Sequence, residues 1–217
     1  MLNTKSKAQK QAMILHTAGK LFAAKGYGGT TMDEIAAEAN IAKGTLYNYF
    51  ENKEQLFWTI VCKINNPFME KLHSVYQAPI SAKEKIYRLT YEFLAFYTLN
   101  SDICIIMVEE MKALSFLNRG KKTTIKQLNE RNKSFERTAL REEEFQRYQQ
   151  LSHDAFSILE QVSEDGIRQK TFKPQPAEFM GIALFSVLLM SAFTGYIRDI
   201  ESDARMISET FLNGIVQ

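Results

Sequence analysis

Between Ile41 and Phe50, in IAKGTLYNYF, a lysine, a threonine, an asparagine and two tyrosines crowd around one glycine. No nucleophile stands beside a base there, so the chemistry these types offer is recognition by hydrogen bonds and charge. Lys43 can reach a guanine edge or a phosphate, and Thr45 can offer its methyl to thymine or its hydroxyl to a base or phosphate. Tyr47 and Tyr49 carry hydroxyls on rigid rings, suited to phosphate oxygens at the walls of a groove. Gly44 has no side chain, so a helix starting here can come close to a nucleic-acid backbone, where its N–H groups and dipole favour a phosphate. Lys53, just beyond, would neutralise a flanking phosphate and add to a salt-dependent affinity.

Those residues need a frame, and the flanking sequence supplies one. Ile14, Leu15, Ala18, Leu21 and Phe22 mark one face of a first helix, which Lys25-Gly26-Tyr27-Gly28-Gly29 stops. Thr31-Met32-Asp33-Glu34 is a capping box opening a second helix of about three turns, which ends near Asn40. The third helix, from about Ala42 to Tyr49, turns Leu46 and Phe50, with Ile41, into the small core of the first two. That leaves the polar and aromatic set outside. Two short helices joined by a tight turn, the second with one apolar and one mixed face, form a helix-turn-helix whose second helix enters a major groove. Asn52 and Gln55 can cap a fourth helix.

TTMDEIAAEANIAKGTLYNYFENKEQLF resembles the N-terminal signature of the TetR family of bacterial transcriptional regulators, in register from about Ile14 to Leu56. The resemblance implies an all-α chain. A three-helix DNA-binding domain over residues 1–55 would precede a larger helical effector-binding and dimerisation domain over residues 56–217. It implies that Thr31, Lys43, Gly44, Thr45, Tyr47, Tyr49 and Lys53 occupy DNA-contacting positions, with Asn48 a further one. The partners implied are double-stranded DNA, a small-molecule effector and a second copy of the chain.

Composition agrees with this class. The 217 residues, 45% hydrophobic and 24% charged, can bury a large core, and apolar residues recur at helical steps throughout. Net charge is only +2, but Lys5, Lys7, Lys10, Lys20 and Lys25 all precede the first acidic residue, Asp33, and give the first helix a positive field. Cys62 and Cys104 lack ligand spacing and read as packed thiols in a reducing cytosol. His16, His73 and His153 are scattered without metal or triad partners, so no enzyme and no cofactor are expected. The basic N-terminus leads into an amphipathic helix and not into a secretory signal, which predicts a cytoplasmic protein.

Beyond Leu56 the pattern is architectural. The fourth helix is expected to bend or break at Asn66-Pro67. Ser81-Ala82-Lys83-Glu84 forms a second capping box before a helix carrying Ile86, Leu89, Phe93 and Tyr97, which Asn100-Ser101-Asp102 ends. In TetR-like proteins such helices enclose a pocket, which would make Phe93, Tyr97, Met107, Glu110 and Met111 lining residues for a largely apolar effector. Packing explains the same aromatic and Met residues, and a solvated helix edge explains Glu110. Residues 118–150 are polar and charged in both signs, as one long helix or two.

Phe179 to Ile197 carries no charge and is about long enough to span a bilayer, but its Gly, Ser and Thr residues and the lack of anchoring basic residues argue against a membrane. A helix buried on all sides is expected instead, paired with the helix through Phe156, Leu159 and Val162. Helices around 150–170 and 177–197 would then form a four-helix homodimer interface, as the resemblance also implies. A two-fold dimer presents two recognition helices to a pseudo-palindromic operator, and an effector that shifts their spacing would release it with a coupling of about 1–3 kcal/mol. The expected function is a ligand-responsive repressor; the alternative is a DNA-binding regulator or activator without an effector.

Overall fold

The structure, a computed structural model, describes residues 6–107 and 142–215. It is all-helical, with no strand among the described residues. Two compact units are present. The first holds the chain up to Ile64 together with residues 102–107 and 142–146; the second holds Asn65–Ser101 and Arg147 onward.

In the first unit, α1 (Lys7–Lys25) opens with an unforeseen capping box, in which the Gln9 N–H donates to Ser6 Oγ at 3.2 Å and the Ser6 N–H to Gln9 Oε1 at 2.9 Å. It ends at Gly26, whose φ of 72° is a conformation that a side chain disfavours. α2 (Met32–Glu38) carries the expected box between Thr31 and Glu34, at 3.2 and 2.9 Å. Asn40 takes the left-handed turn at φ 50°, so the chain can reverse into α3 (Lys43–Tyr47). The core beneath is aromatic: Phe22, Tyr27 and Phe57 form a triangle with ring centroids 5.1 to 5.6 Å apart. Ile14, Ile35, Leu46 and Phe50 pack with them in near-complete burial. A full side chain of this size contributes about 1.5–3 kcal/mol by leaving water.

α4 (Lys53–Gln77) starts on Asn52, whose Oδ1 accepts from the Gln55 N–H at 2.7 Å, while Gln55 Oε1 accepts from the Glu51 N–H at 2.6 Å. Of the bend or break expected at Asn66-Pro67, the break does not occur, and the helix runs on through Pro67. One missing N–H removes a single intrahelical bond, and Phe68 and Leu72 beyond it are held in the second unit's core.

In that second unit α5 (Ala82–Leu99) packs against α7 (Ala177–Phe193) and α8 (Ile200–Ile215), with α6 (Glu142–Arg168) contributing Ala155, Ile158, Leu159 and Val162 to the same core. Half of the second capping box is realised: the Glu84 N–H donates to Ser81 Oγ at 3.2 Å, but the Glu84 carboxylate turns to Arg88, 2.7 Å away. Asn100 ends α5 by donating from Nδ2 to the Phe96 carbonyl. α8, which the sequence reading passed over, is capped at its start by Asp199 and Asp203 and buries Ala204, Ile207 and Ile215.

α7 is the apolar helix expected to be buried between two subunits. It has 17 residues, and it exposes Phe179, Ile182, Val187 and Met190 in the single chain. No described helix is long and apolar enough to cross a membrane. Cys62 and Cys104 form no disulfide, and burial pushes the Cys104 thiol up to about 12, which keeps it protonated and inert.

Candidate nucleic-acid interface

α3 is positioned by its two buried residues. Leu46 is fully enclosed and Phe50, four residues on, is 2% exposed. They pin the short helix from beneath and turn the intervening positions outward. Lys43, Gly44, Tyr47 and Asn48 are exposed, with Thr45 and Tyr49 half-buried at the edges. The structure thus brings six of the expected contact residues together on one outward surface. Thr31, also exposed, stands at the start of α2, its hydroxyl engaged with Glu34 Oε2 at 3.0 Å.

The electrostatics of this surface are set by pairs that sequence spacing concealed. Lys43 Nζ lies 2.8 Å from the Asp33 carboxylate of α2 and 5.9 Å from the Tyr47 ring. The hydrogen bond and charge of Asp33 raise the lysine above its ordinary range. Lys25 Nζ sits 2.9 Å from Glu34 Oε1. Its hydrogen bond, with those from Thr31, holds the Glu34 carboxyl down to about 2. Both pairs are solvent-exposed and screened by water, so they add little to stability and exchange partners readily.

Gly44, like Gly19 in α1, is a glycine that the fold itself leaves open. It has no positive φ, and a Cβ built on it would meet nothing within 4 Å. Nothing among the described residues requires a glycine there.

Lys53 is arranged differently from a side chain reaching outward. Its ammonium donates to the carbonyls of Tyr27 at 2.8 Å and Thr30 at 2.9 Å, and lies 4.3 Å from the centre of the Tyr27 ring. Tyr27 and Thr30 escaped the sequence reading because main-chain carbonyls carry no residue-type signal. The aromatic pattern of the GYGG turn was the one available hint.

Of the expected effector residues, Phe93 and Tyr97 belong to the second unit. Phe93 is completely buried, edge-on to Phe68 at 5.2 Å and to Phe185 at 5.9 Å. Tyr97 is half-buried beside it, at 6.2 Å between rings. Met107 is half-buried in the first unit; Glu110 and Met111 lie outside the described residues, as does most of the 118–150 stretch. The second unit does hold an apolar recess of about 220 Å³, lined by Leu184, Val187, Met206, Ile207, Thr210 and Phe211, which sequence reasoning missed with the rest of α8. Among the described residues no cluster of His, Cys, Asp or Glu could hold a metal ion.

Comparison with known proteins agrees with this geometry. Residues 14–58 match the family described as bacterial regulatory proteins, tetR family. An uncharacterized HTH-type transcriptional regulator of Bacillus subtilis, YhgD, is 26% identical over 184 residues, covering 85% of this chain and 83% of that protein. Among solved structures, a tetR-family regulatory protein from Rhodococcus RHA1 superposes with a TM-score of 0.74 at 20% identity, over 96% of this chain and 97% of that one. The regulator FadR of Bacillus subtilis, in complex with stearoyl-CoA, does so with a TM-score of 0.68 at 18% identity, over 94% and 98%. At these identities the superpositions establish the fold.

Proposed function

We propose, from the premise that this chain belongs to the TetR family of bacterial regulatory proteins and is a transcriptional regulator, not an enzyme, that it is a cytoplasmic repressor. It binds a pseudo-palindromic operator as a homodimer and leaves it when a small, largely apolar effector binds. The observation that carries this reading is the outward set of Lys43, Gly44, Thr45, Tyr47, Asn48 and Tyr49 over buried Leu46 and Phe50. Lys43, Thr45 and Asn48 supply base-edge and phosphate donors, Tyr47 and Tyr49 supply hydroxyls to phosphates, and Thr31 anchors the start of α2 against the groove wall. Repression follows from occupancy: a dimer seated on its operator excludes polymerase from the same duplex.

Dimerisation is supported by α7. Phe179, at 62% exposure, shares one helical face with Ile182, Ser186 and Met190, the last at 59%. An apolar face of this kind favours a partner over water. α6 turns the polar residues Gln161, Glu164 and Arg168 outward, which suits the rim of such an interface. For the effector, Phe93 and Tyr97 supply adjacent aromatic rings, and the similar FadR of Bacillus subtilis is solved in complex with stearoyl-CoA.

The experiment is selection of duplex DNA from a random pool with purified protein, then titration of the winner at several salt concentrations. An inverted repeat whose affinity falls steeply with salt is the expected outcome. Failure to enrich any sequence would refute the DNA reading and leave the α3 tyrosines to packing.

A further inference from the structure

Lys53 is the first residue of α4, and its two carbonyl partners belong to the turn that leads into α2. Everything between, the helix-turn-helix itself, is a loop whose entry and exit meet at this one ammonium, across 23 and 26 residues of chain. Three contributions act together there. Two charge-assisted hydrogen bonds hold the cation, and the Tyr27 ring face receives it. The carbonyls also lie just past the C-terminal end of α1, where the helix dipole favours positive charge. The turn is rigid beneath: the Thr30 side chain is completely buried, and its hydroxyl donates to the Gly26 carbonyl at 2.9 Å. The Tyr27 ring is 3% exposed and packs at a tilt against Phe22 and Phe57. A cation drawn onto such a turn fixes where Thr31 and α2 begin relative to the first turn of α4.

We infer that Lys53 is a positioning residue that fastens the two ends of the helix-turn-helix together, and that its contribution to operator affinity comes through that fastening and not through a phosphate contact. The inference rests on the DNA-binding reading only for its affinity consequence; the fastening itself concerns the free protein. Ordering a loop by joining its ends lowers the entropy lost when the recognition surface settles into a groove.

The test uses the full chain with Lys53→Met, which keeps length and removes charge and donors, and Lys53→Arg, which keeps both. In free protein, amide hydrogen exchange at Gly26 and Thr30 is expected to accelerate in Lys53→Met and to return toward wild type in Lys53→Arg. Unchanged exchange would overturn the fastening whatever the DNA result. On the selected operator, at a temperature where circular dichroism shows the variant folded, Lys53→Met is expected to bind at least about tenfold more weakly. The slope of log affinity against log salt should stay that of wild type, and Lys53→Arg should restore most of the affinity. A slope shallower by about 0.9 per lost contact would mean a phosphate contact and overturn the inference. Unchanged affinity in the folded variant would reduce Lys53 to a stability role and overturn it equally. If Lys53→Met does not fold, Lys53→Gln carries the same readouts. Failure of wild type to bind any DNA would count against the DNA reading, while the exchange experiment still decides the fastening.

Discussion

Gly44→Ala separates the needs of the folded chain from the needs of the groove. Gly44 lies inside α3 and is exposed, without a positive φ, and a Cβ there meets no atom within 4 Å. In the free protein the substitution therefore removes backbone freedom from the unfolded state and adds no clash, a gain of about 0.4–1 kcal/mol. For a chain of this size that is an upward shift of about 1–4 °C in melting temperature. If the glycine is there so that the recognition helix can approach DNA closely, the same methyl group meets the duplex. Overpacking at a tight contact costs about 1–3 kcal/mol, or roughly 5- to 150-fold in affinity, for each recognition helix carrying it. The assay is thermal melting and operator titration on one preparation. A more stable protein that binds less well is expected. Equal affinity in a stabilised variant would remove Gly44 from the interface, and a lower melting temperature would refute the local argument itself.

Three further outcomes follow from the geometry. The Glu34 carboxyl, held down to about 2 by Lys25 and Thr31 against an ordinary 4.5, contributes stability that is complete above about pH 4.5 and is lost as pH falls toward 2; Glu34→Gln should flatten the melting-temperature profile across that window. A Cβ at Gly166 would lie 2.1 Å from the ring of Phe172, itself 1% exposed, so Gly166→Ala should destabilise the second unit by about 1–3 kcal/mol in urea unfolding. Placing a charge on the exposed face of α7, as Phe179→Glu with Met190→Glu, should leave the helical content unchanged and convert the dimer to monomer by light scattering, with operator affinity falling in step.

What was legible in the sequence was local. The Thr31 and Glu34 cap, the Asn52 cap and the left-handed Asn40 involve residues within a few positions of one another, where side-chain type decides geometry. The outward set on α3 was equally readable, because Leu46 and Phe50 alone fix which face is buried. Long-range partners were not readable. Lys43 could be matched to DNA from its position, but its attachment to Asp33 depends on how α2 lies against α3. α7 resisted for another reason: its residues are so uniformly apolar that no periodicity tells the side bearing Phe185, whose ring meets Phe93, from the side bearing Phe179 and Met190. Gly181 shows the same ambiguity. Residue type alone does not say which neighbour needs it small, and the contact that does is within the chain: a Cβ there would come within 3.0 Å of the Phe156 ring.

The lysines of the first unit divide by how strongly they are held, and that division bears on how the surface would read DNA. Lys43 is tied to an aspartate in open solvent, where water screens the pair and salt weakens it further. A phosphate or a guanine edge can therefore take Lys43 over at little cost, while Asp33 tempers the positive field toward sequences that offer no such exchange. Lys25 is in the same position against Glu34. Lys53 is not, because its partners are carbonyls of a packed turn and the face of a buried ring, which cannot follow it outward. Moving it to a phosphate would take this donor from the Thr30 carbonyl and leave the Tyr27 carbonyl with the Thr30 N–H alone, a loss of about 1–3 kcal/mol for a buried acceptor left unsatisfied. Exposed pairs suit the contacts that must be exchanged on binding, and the enclosed one suits the frame that carries them.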